Sequence, residues 1–232
     1  MRLVIVFDNY KVDPCCEAAW GFSCFLPGKR LLFDTGSSGS VLTHNMACLG
    51  IAPKDFDLVL LSHFHWDHTG GLFDLLSQDP GKRVILHSAF SSHFAREAVR
   101  LGASVEWIDE PKEIAPGVFT TGRLEGPVPE AGLVVQGEQG LALITGCAHP
   151  GILNMAQAVV SLFGQPPVLV LGGFHLLNQS KKVILQIIEG LEQLGVRYVA
   201  PSHCTGDKAR EIFADLYQEG FISIGAGKVL EF

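Results

Sequence analysis

Short apolar runs broken by turn residues fill the first third of the chain. RLVIVF, FSCFL, RLLFD and FDLVLLS are bounded by Gly, Pro, Asp or Asn, a pattern that predicts strands. SVLTHNMACLG, lying between them, predicts a helix closed by Gly50. GLFDLLSQ predicts a further helix, RVILH a strand, and SAFSSHFAREAVRLG a helix started by a serine cap. The middle of the chain is strand-rich: SVEWI, GVFTTG, GLVVQ and GLALITG, with a hairpin between Gly137 and Gly140. PGILNMAQAVVSLFG predicts a helix with Pro150 near its first position, and VLVLGGF a strand buried on both faces. SKKVILQIIEGLEQLG is amphipathic, with Val183, Ile184, Ile187, Ile188, Leu191 and Leu194 on one helical face. YVAPS then predicts a strand, TGDKAREIFADLYQEG a helix, and FISIGAGKVLEF one or two terminal strands.

This order gives about ten to twelve strands and five to seven helices, with a strand-rich pattern in each half. Two sheets packed face to face with helices outside would use all of it, an α/β (α+β) architecture of four layers, αββα. At 232 residues the chain suits one domain, residues 1–232.

Composition narrows the function classes. The chain is 47% hydrophobic and only 18% charged, as a layered protein with interior sheets requires. A formal net charge of −7 and the lack of a basic stripe argue against nucleic-acid binding. MRLVIVFDNY is interrupted by Asp8 too early for a signal-peptide core, and no apolar run approaches membrane-span length. Cys15, Cys16, Cys24, Cys48, Cys147 and Cys204 match no zinc-ribbon or disulfide spacing. They read as free thiols in a reducing cytoplasm. Oligomeric state has no signature in the sequence.

One stretch breaks the apolar pattern. Directly after DLVLLS come His63, His65, Asp67 and His68. Residues two apart in extended chain share a side, so His63 and His65 can meet one ion. Asp67 and His68 follow where the chain turns into a helix at TGG and can meet a second. Imidazoles and a carboxylate suit zinc, iron or manganese, and one or two such ions, zinc foremost, explain why these groups tolerate burial. Without an ion their desolvation would be costly. Three more histidines end apolar strands: His149 after LALITGCA, His175 after VLVLGGF and His203 after YVAPS. A site at one sheet edge needs late residues of this kind.

HFHWDH followed by TGG, with LLFDTGSSG upstream, resembles the HxHxDH motif and the Asp-Thr-Gly turn of the metallo-β-lactamase superfamily. The resemblance implies the αββα sandwich and a metal site built from His63, His65, Asp67, His68, His149 and His203. With TGCAHPGILN, GGFHLL and PSHCTG added, the chain resembles the group named for the dihydropterin–ribofuranosyl-aminobenzene-phosphate synthase of methanopterin biosynthesis. That implies a pterin-related substrate. Many superfamily relatives end the hairpin strand in Gly-Asp, where this chain has TGCAH. Cys147 is then either a bridging thiolate or a small buried packing residue.

The chemistry expected is hydrolysis or group transfer, with hydroxide generated at neutral pH by the ion. Asp67 and His175 are the catalytic candidates. Asp67 orients the water or takes its proton, and His175 acts as a substrate-facing acid or a further ligand. Asp34 anchors an imidazole or the loop. Gly70, Gly71, Gly151 and Gly206 at helix starts would admit an anion or serve as ordinary caps. The expected substrate is a small anionic molecule bearing phosphate or pyrophosphate. Two alternatives stand beside it: a thioesterase or lactonase of the same fold, and a non-catalytic metal-binding or redox-sensing protein using Cys147, Cys204 and the histidines.

Overall fold

A computed structural model describes residues 1–232. The chain forms two compact units, residues 1–110 with 225–232, and residues 111–224.

The first unit runs β1 (Arg2–Phe7), β2 (Ser23–Leu26), β3 (Leu31–Phe33), α1 (Gly39–Cys48), β4 (Leu58–Leu60), α2 (Trp66–Thr69), α3 (Leu72–Gln78), β5 (Arg83–Leu86), α4 (Ser92–Arg100) and β6 (Ser104–Trp107). The second unit runs β7 (Lys112–Ala115), β8 (Val118–Thr120), β9 (Leu133–Gly137), β10 (Gly140–Thr145), α5 (Ile152–Phe163), β11 (Pro167–Gly173), α6 (Lys181–Leu194), β12 (Tyr198–Ser202) and α7 (Asp207–Tyr217). The last strand, β13 (Val229–Glu231), returns to the first unit and pairs with β1.

Each unit has one sheet that changes from antiparallel to parallel. The first is ordered β13-β1-β2-β3-β4-β5-β6, antiparallel as far as β3 and parallel from β3 to β6. The second is ordered β12-β11-β10-β9-β8-β7, parallel from β12 to β10 and antiparallel from β10 to β7. Parallel strands discharge their chains at a common carboxyl edge, where loops gather for chemistry. In the second sheet Thr145 is level with Gly172, which is level with Pro201. The loops carrying His149, His175 and His203 therefore leave one edge together.

Local signals set the helices. Ser38, Ser91 and Ser180 each accept a backbone N–H from the first turn of α1, α4 and α6. Gly195, at φ 93°, closes α6, whose Ile184, Ile188 and Leu191 are buried. Those three anchor the second core, with Val159 of α5 and Phe213 of α7. Leu42, Met46, Leu72 and Leu75 of α1 and α3 pack with Val4, Phe25 and Val59 in the first core.

Three expectations change. Pro150 stands ahead of the α5 cap, Gly151, rather than inside the first turn. β7 is an additional strand; as the polar edge of its sheet, KEIA lacks the apolar run by which strands are recognised. FISIGAGKVLEF contributes a single strand, one of the two outcomes expected, with isolated bridges from Phe221 to Val199 and from Ala226 to Lys11. Finally, the six cysteines are not all thiols: Cys15 and Cys48 form a disulfide. His44 Nε2 lies 2.9 Å from Cys15 O, and Asn45 of α1 adds further bonds. Its side chain accepts from Glu17 N and donates to Val6 O and Glu17 O, which ties the Cys15 loop to the helix. The other four cysteines are buried outside any disulfide. No helix is long and apolar enough to cross a membrane.

Candidate functional site

In the first unit the site grows from the end of β4. Leu61 N still bonds Ile85 O, and the chain then leaves the sheet at Ser62 and His63. His65 is extended, at φ −115°, and caps α2, which carries Asp67 and His68. The helix thus starts one residue before Asp67, ahead of the TGG at which a helix was expected. All four residues come together. His63 Nε2 lies 3.1 Å from His65 Nδ1. The His63 and His68 rings are 4.3 Å apart. His68 Nε2 is 3.8 Å from Asp67 Oδ2.

Proton positions follow from the surrounding hydrogen bonds. Asp34 is buried, and its Oδ1 accepts from Ser62 N at 2.7 Å. Its Oδ2 accepts from Ser62 Oγ and from His68 Nδ1, both at 2.7 Å. Ser62 has one hydroxyl hydrogen, and it goes to Asp34. Ser62 Oγ therefore accepts from His63 Nδ1, at 2.9 Å. Both His63 and His68 then carry their proton on Nδ1 and present a lone pair at Nε2, as a metal ligand must.

This donor set fits a divalent transition ion. Two nitrogens on one tetrahedral ion stand roughly 3.3 Å apart for metal–nitrogen bonds of about 2.0–2.1 Å. The 3.1 Å between His63 and His65 matches that spacing.

Three partners had no signal in the motif. Trp20 Nε1 donates to Asp67 Oδ2 at 2.8 Å and orients that carboxylate. His87, buried at the end of β5, donates from Nε2 to Ser62 O at 3.1 Å and accepts Ala89 N–H at Nδ1. Apart from an isolated His or Trp, nothing in the sequence marks either residue. The third partner, Glu130, lies in the second unit.

Glu130 is fully buried there, and its Oε1 accepts the N–H groups of Gly146, Cys147 and Ala148, each at 3.0 Å. Its Oε2 accepts His149 N at 2.9 Å. One carboxylate thus gathers four successive amides into a turn, with Ala148 at φ 59°. This turn carries Cys147 and His149. The His149 ring lies 4.3 Å from that of His175, which is exposed. His203 is buried in a 3-10 turn after β12. Cys147, His175 and Cys204 place their donor atoms within 4.8 Å of one another. Burial pushes the Cys204 thiol up, but hydrogen bonds with Cys147 and His175 and the charge of His203 outweigh it. The thiol ends well below the usual range.

Three of the glycines serve the protein's own packing. A Cβ on Gly70 would meet Ser37 O at 2.4 Å, and one on Gly71 would meet Thr35 O at 2.4 Å. One on Gly206, at φ 79°, would meet the Leu177 backbone at 2.9 Å. Only at Gly151 is the nearest neighbour no closer than the Asn154 side chain at 3.3 Å.

Comparison with known proteins agrees with this geometry. The metallo-beta-lactamase superfamily model matches residues 24–203. The chain is 32% identical to the 7,8-dihydropterin-6-methyl-4-(beta-D-ribofuranosyl)-aminobenzene-5'-phosphate synthase of Methanocaldococcus jannaschii, over 88% of this chain and 85% of that one. A crystal structure described as a metal-dependent hydrolase of the beta-lactamase superfamily superposes with TM-score 0.88 at 32% identity, covering 100% of this chain and 99% of the other. A metallo-beta-lactamase fold protein from Bacillus subtilis superposes with TM-score 0.71 at 16% identity, covering 100% and 99%, and shares the fold. With two mixed sheets, flanking helices and the HFHWDH cluster, the chain belongs to the metallo-β-lactamase superfamily.

Proposed function

We propose that the protein is a metal-dependent hydrolase or transferase acting on a small molecule that bears phosphate or pyrophosphate. His63, His65, Asp67, His68, His149 and His203 serve as metal ligands in this reading, with zinc first and iron or manganese as the other candidates. The observation that carries it is the paired lock on His63 and His68. Ser62 and Asp34 hold both Nδ1 protons, so both Nε2 atoms are available as donors.

When bound, a divalent ion supplies Lewis acidity toward the oxygen of the group under attack. The chain's own residues do the rest. Asp67, aimed by Trp20, holds or takes a proton beside His68. His175 is exposed at the end of β11, where an imidazole can meet substrate and exchange a proton.

The phosphate preference rests on charge. Two divalent ions bring more positive charge than Asp67 and a hydroxide offset, and an anionic substrate answers the excess. The M. jannaschii relative is named for a phosphate-bearing compound, which supports the same preference. Helix N-termini support it less than the sequence implied, because Gly70, Gly71 and Gly206 face the protein's own atoms.

The test is turnover of phosphorylated against acyl substrates, with and without chelator. Metal-dependent turnover of the phosphorylated set, inhibited competitively by inorganic phosphate, is expected. Efficient cleavage of uncharged thioesters or lactones, with no phosphate effect, would replace this reading with an acyl hydrolase. No metal-dependent turnover of either set would leave a binding or sensing protein.

A further inference from the structure

The second unit holds a cluster of different donor chemistry. Cys147 follows β10, His175 follows β11 and Cys204 follows β12, three neighbouring parallel strands. Their ligand atoms lie within 4.8 Å of one another. We propose that Cys147, His175 and Cys204 form a soft-metal site that binds a thiophilic divalent cation through two thiolates and one imidazole. Such a donor set selects zinc or cadmium over magnesium, calcium or manganese. The inference goes beyond the catalytic reading, with which it shares only His175.

Three observations carry it. The first is placement by register: Gly173 pairs with Ser202, and Thr145 with Gly172, so each strand delivers one donor at the same edge.

The second is that the loops are built to hold these side chains. Ala148, His175 and His203 all adopt positive φ, at 59°, 54° and 50°, one in each loop and each at or beside a donor. Non-glycine residues keep that conformation only where the surroundings enforce it. Enforcement is visible. Glu130 holds the Cys147 turn, Thr145 Oγ1 donates to Gly173 O at 2.8 Å, and Thr205 Oγ1 accepts Phe174 N at 3.0 Å while donating to Ser202 O at 2.6 Å.

The third is close packing around the sulfurs. A Cβ on Gly173 would stand 2.3 Å from Gly146 O and 2.7 Å from Cys204 Sγ, so glycine lets the Cys147 and Cys204 loops approach each other. Cys147 and Cys204 are 3% and 4% exposed, whereas His175 is exposed, so the cation enters from the imidazole side.

Donors on a tetrahedral zinc stand roughly 3.5–3.8 Å apart for bonds of about 2.3 Å to sulfur and 2.0 Å to nitrogen. From donor atoms within 4.8 Å, the cluster reaches this by a contraction of at most about 1.0–1.3 Å, which small side-chain rotations supply. On binding, any thiol proton still held by either cysteine passes to solvent and the imidazole ligates in its neutral form.

The test titrates the metal-stripped full-length protein with cobalt(II) and cadmium(II), reading the sulfur-to-metal charge-transfer absorption. The band should appear in the wild type and in the His63→Ala/His65→Ala double variant. It should vanish in Cys147→Ser and in Cys204→Ser, and His175→Ala should weaken the affinity about tenfold or more. X-ray absorption of zinc-loaded wild type should show sulfur in the ligand shell, a reading that needs no variant to fold. No charge-transfer band at saturating cation, a band that survives either cysteine change, or a zinc shell of nitrogen and oxygen alone would overturn the proposal. Because the double histidine variant keeps these donors, loss of the ion held by His63 and His65 and loss of this site are read separately.

Discussion

Asp34 Oδ2 lies 2.7 Å from His68 Nδ1, and both side chains are completely buried. Asp34 also holds Ser62 by its backbone N–H and its hydroxyl, and Ser62 in turn holds His63. One carboxylate therefore sets the protonation of two candidate ligands at once. Its backbone is left-handed, at φ 56°, a conformation that Asp and Asn tolerate better than most residues.

Asp34→Asn keeps the backbone and shape but turns one acceptor oxygen into a donor. It should lower zinc affinity about 10–100-fold, the usual cost of losing such a partner. Competition with a chromophoric chelator measures it. Wild-type affinity in the variant would show that Asp34 acts only on the fold.

Glu130 invites a similar change. In Glu130→Gln the amide nitrogen must face either the three N–H groups at Oε1 or the His149 N–H at Oε2. At least one buried donor loses its acceptor, which costs about 1–3 kcal/mol. Denaturant midpoints should fall accordingly, and amide exchange at 146–149 should quicken more than in β9 or β10. Uniform exchange across these segments would mean that Glu130 does not hold the turn.

A third expectation concerns alkaline pH. Cys24 is fully buried, and burial first, then the charge of Asp34, pushes its thiol well above the ordinary range. The unfolded chain ionises this thiol near about pH 8.5, and the folded chain keeps it protonated. A group raised on folding contributes fully below its unfolded pKa, and that contribution is lost as pH rises. Stability should therefore decline above about pH 8.5, by up to about 1.4 kcal/mol per pH unit from this one group. Urea midpoints between pH 7.5 and 10 should fall more steeply in wild type than in Cys24→Ala. Parallel curves in the two proteins would refute it.

Much of the fold was legible because its elements are locally consistent. α6 carries its cap, apolar stripe and closing glycine in a single stretch, and the hairpin after Gly137 is written in its two glycines. β7 was not legible, because an edge strand needs no apolar face. The disulfide was not either, since Cys15 and Cys48 are 33 residues apart and meet only where folding lays the Cys15 loop on α1.

Residue types and their spacing determined the candidate donors: His63, His65, Asp67 and His68 lie within six positions, and no folding is needed to see that they can share an ion. Strand-end positions likewise marked His149, His175 and His203. Tertiary structure alone decided which groups hold those donors. Asp34 reaches His68 across 34 positions, Trp20 reaches Asp67 across 47, and Glu130 reaches the 146–149 turn across 16 to 19. A buried polar group must find its partner wherever the folded chain brings one, and for these residues sequence distance carries no trace of that meeting.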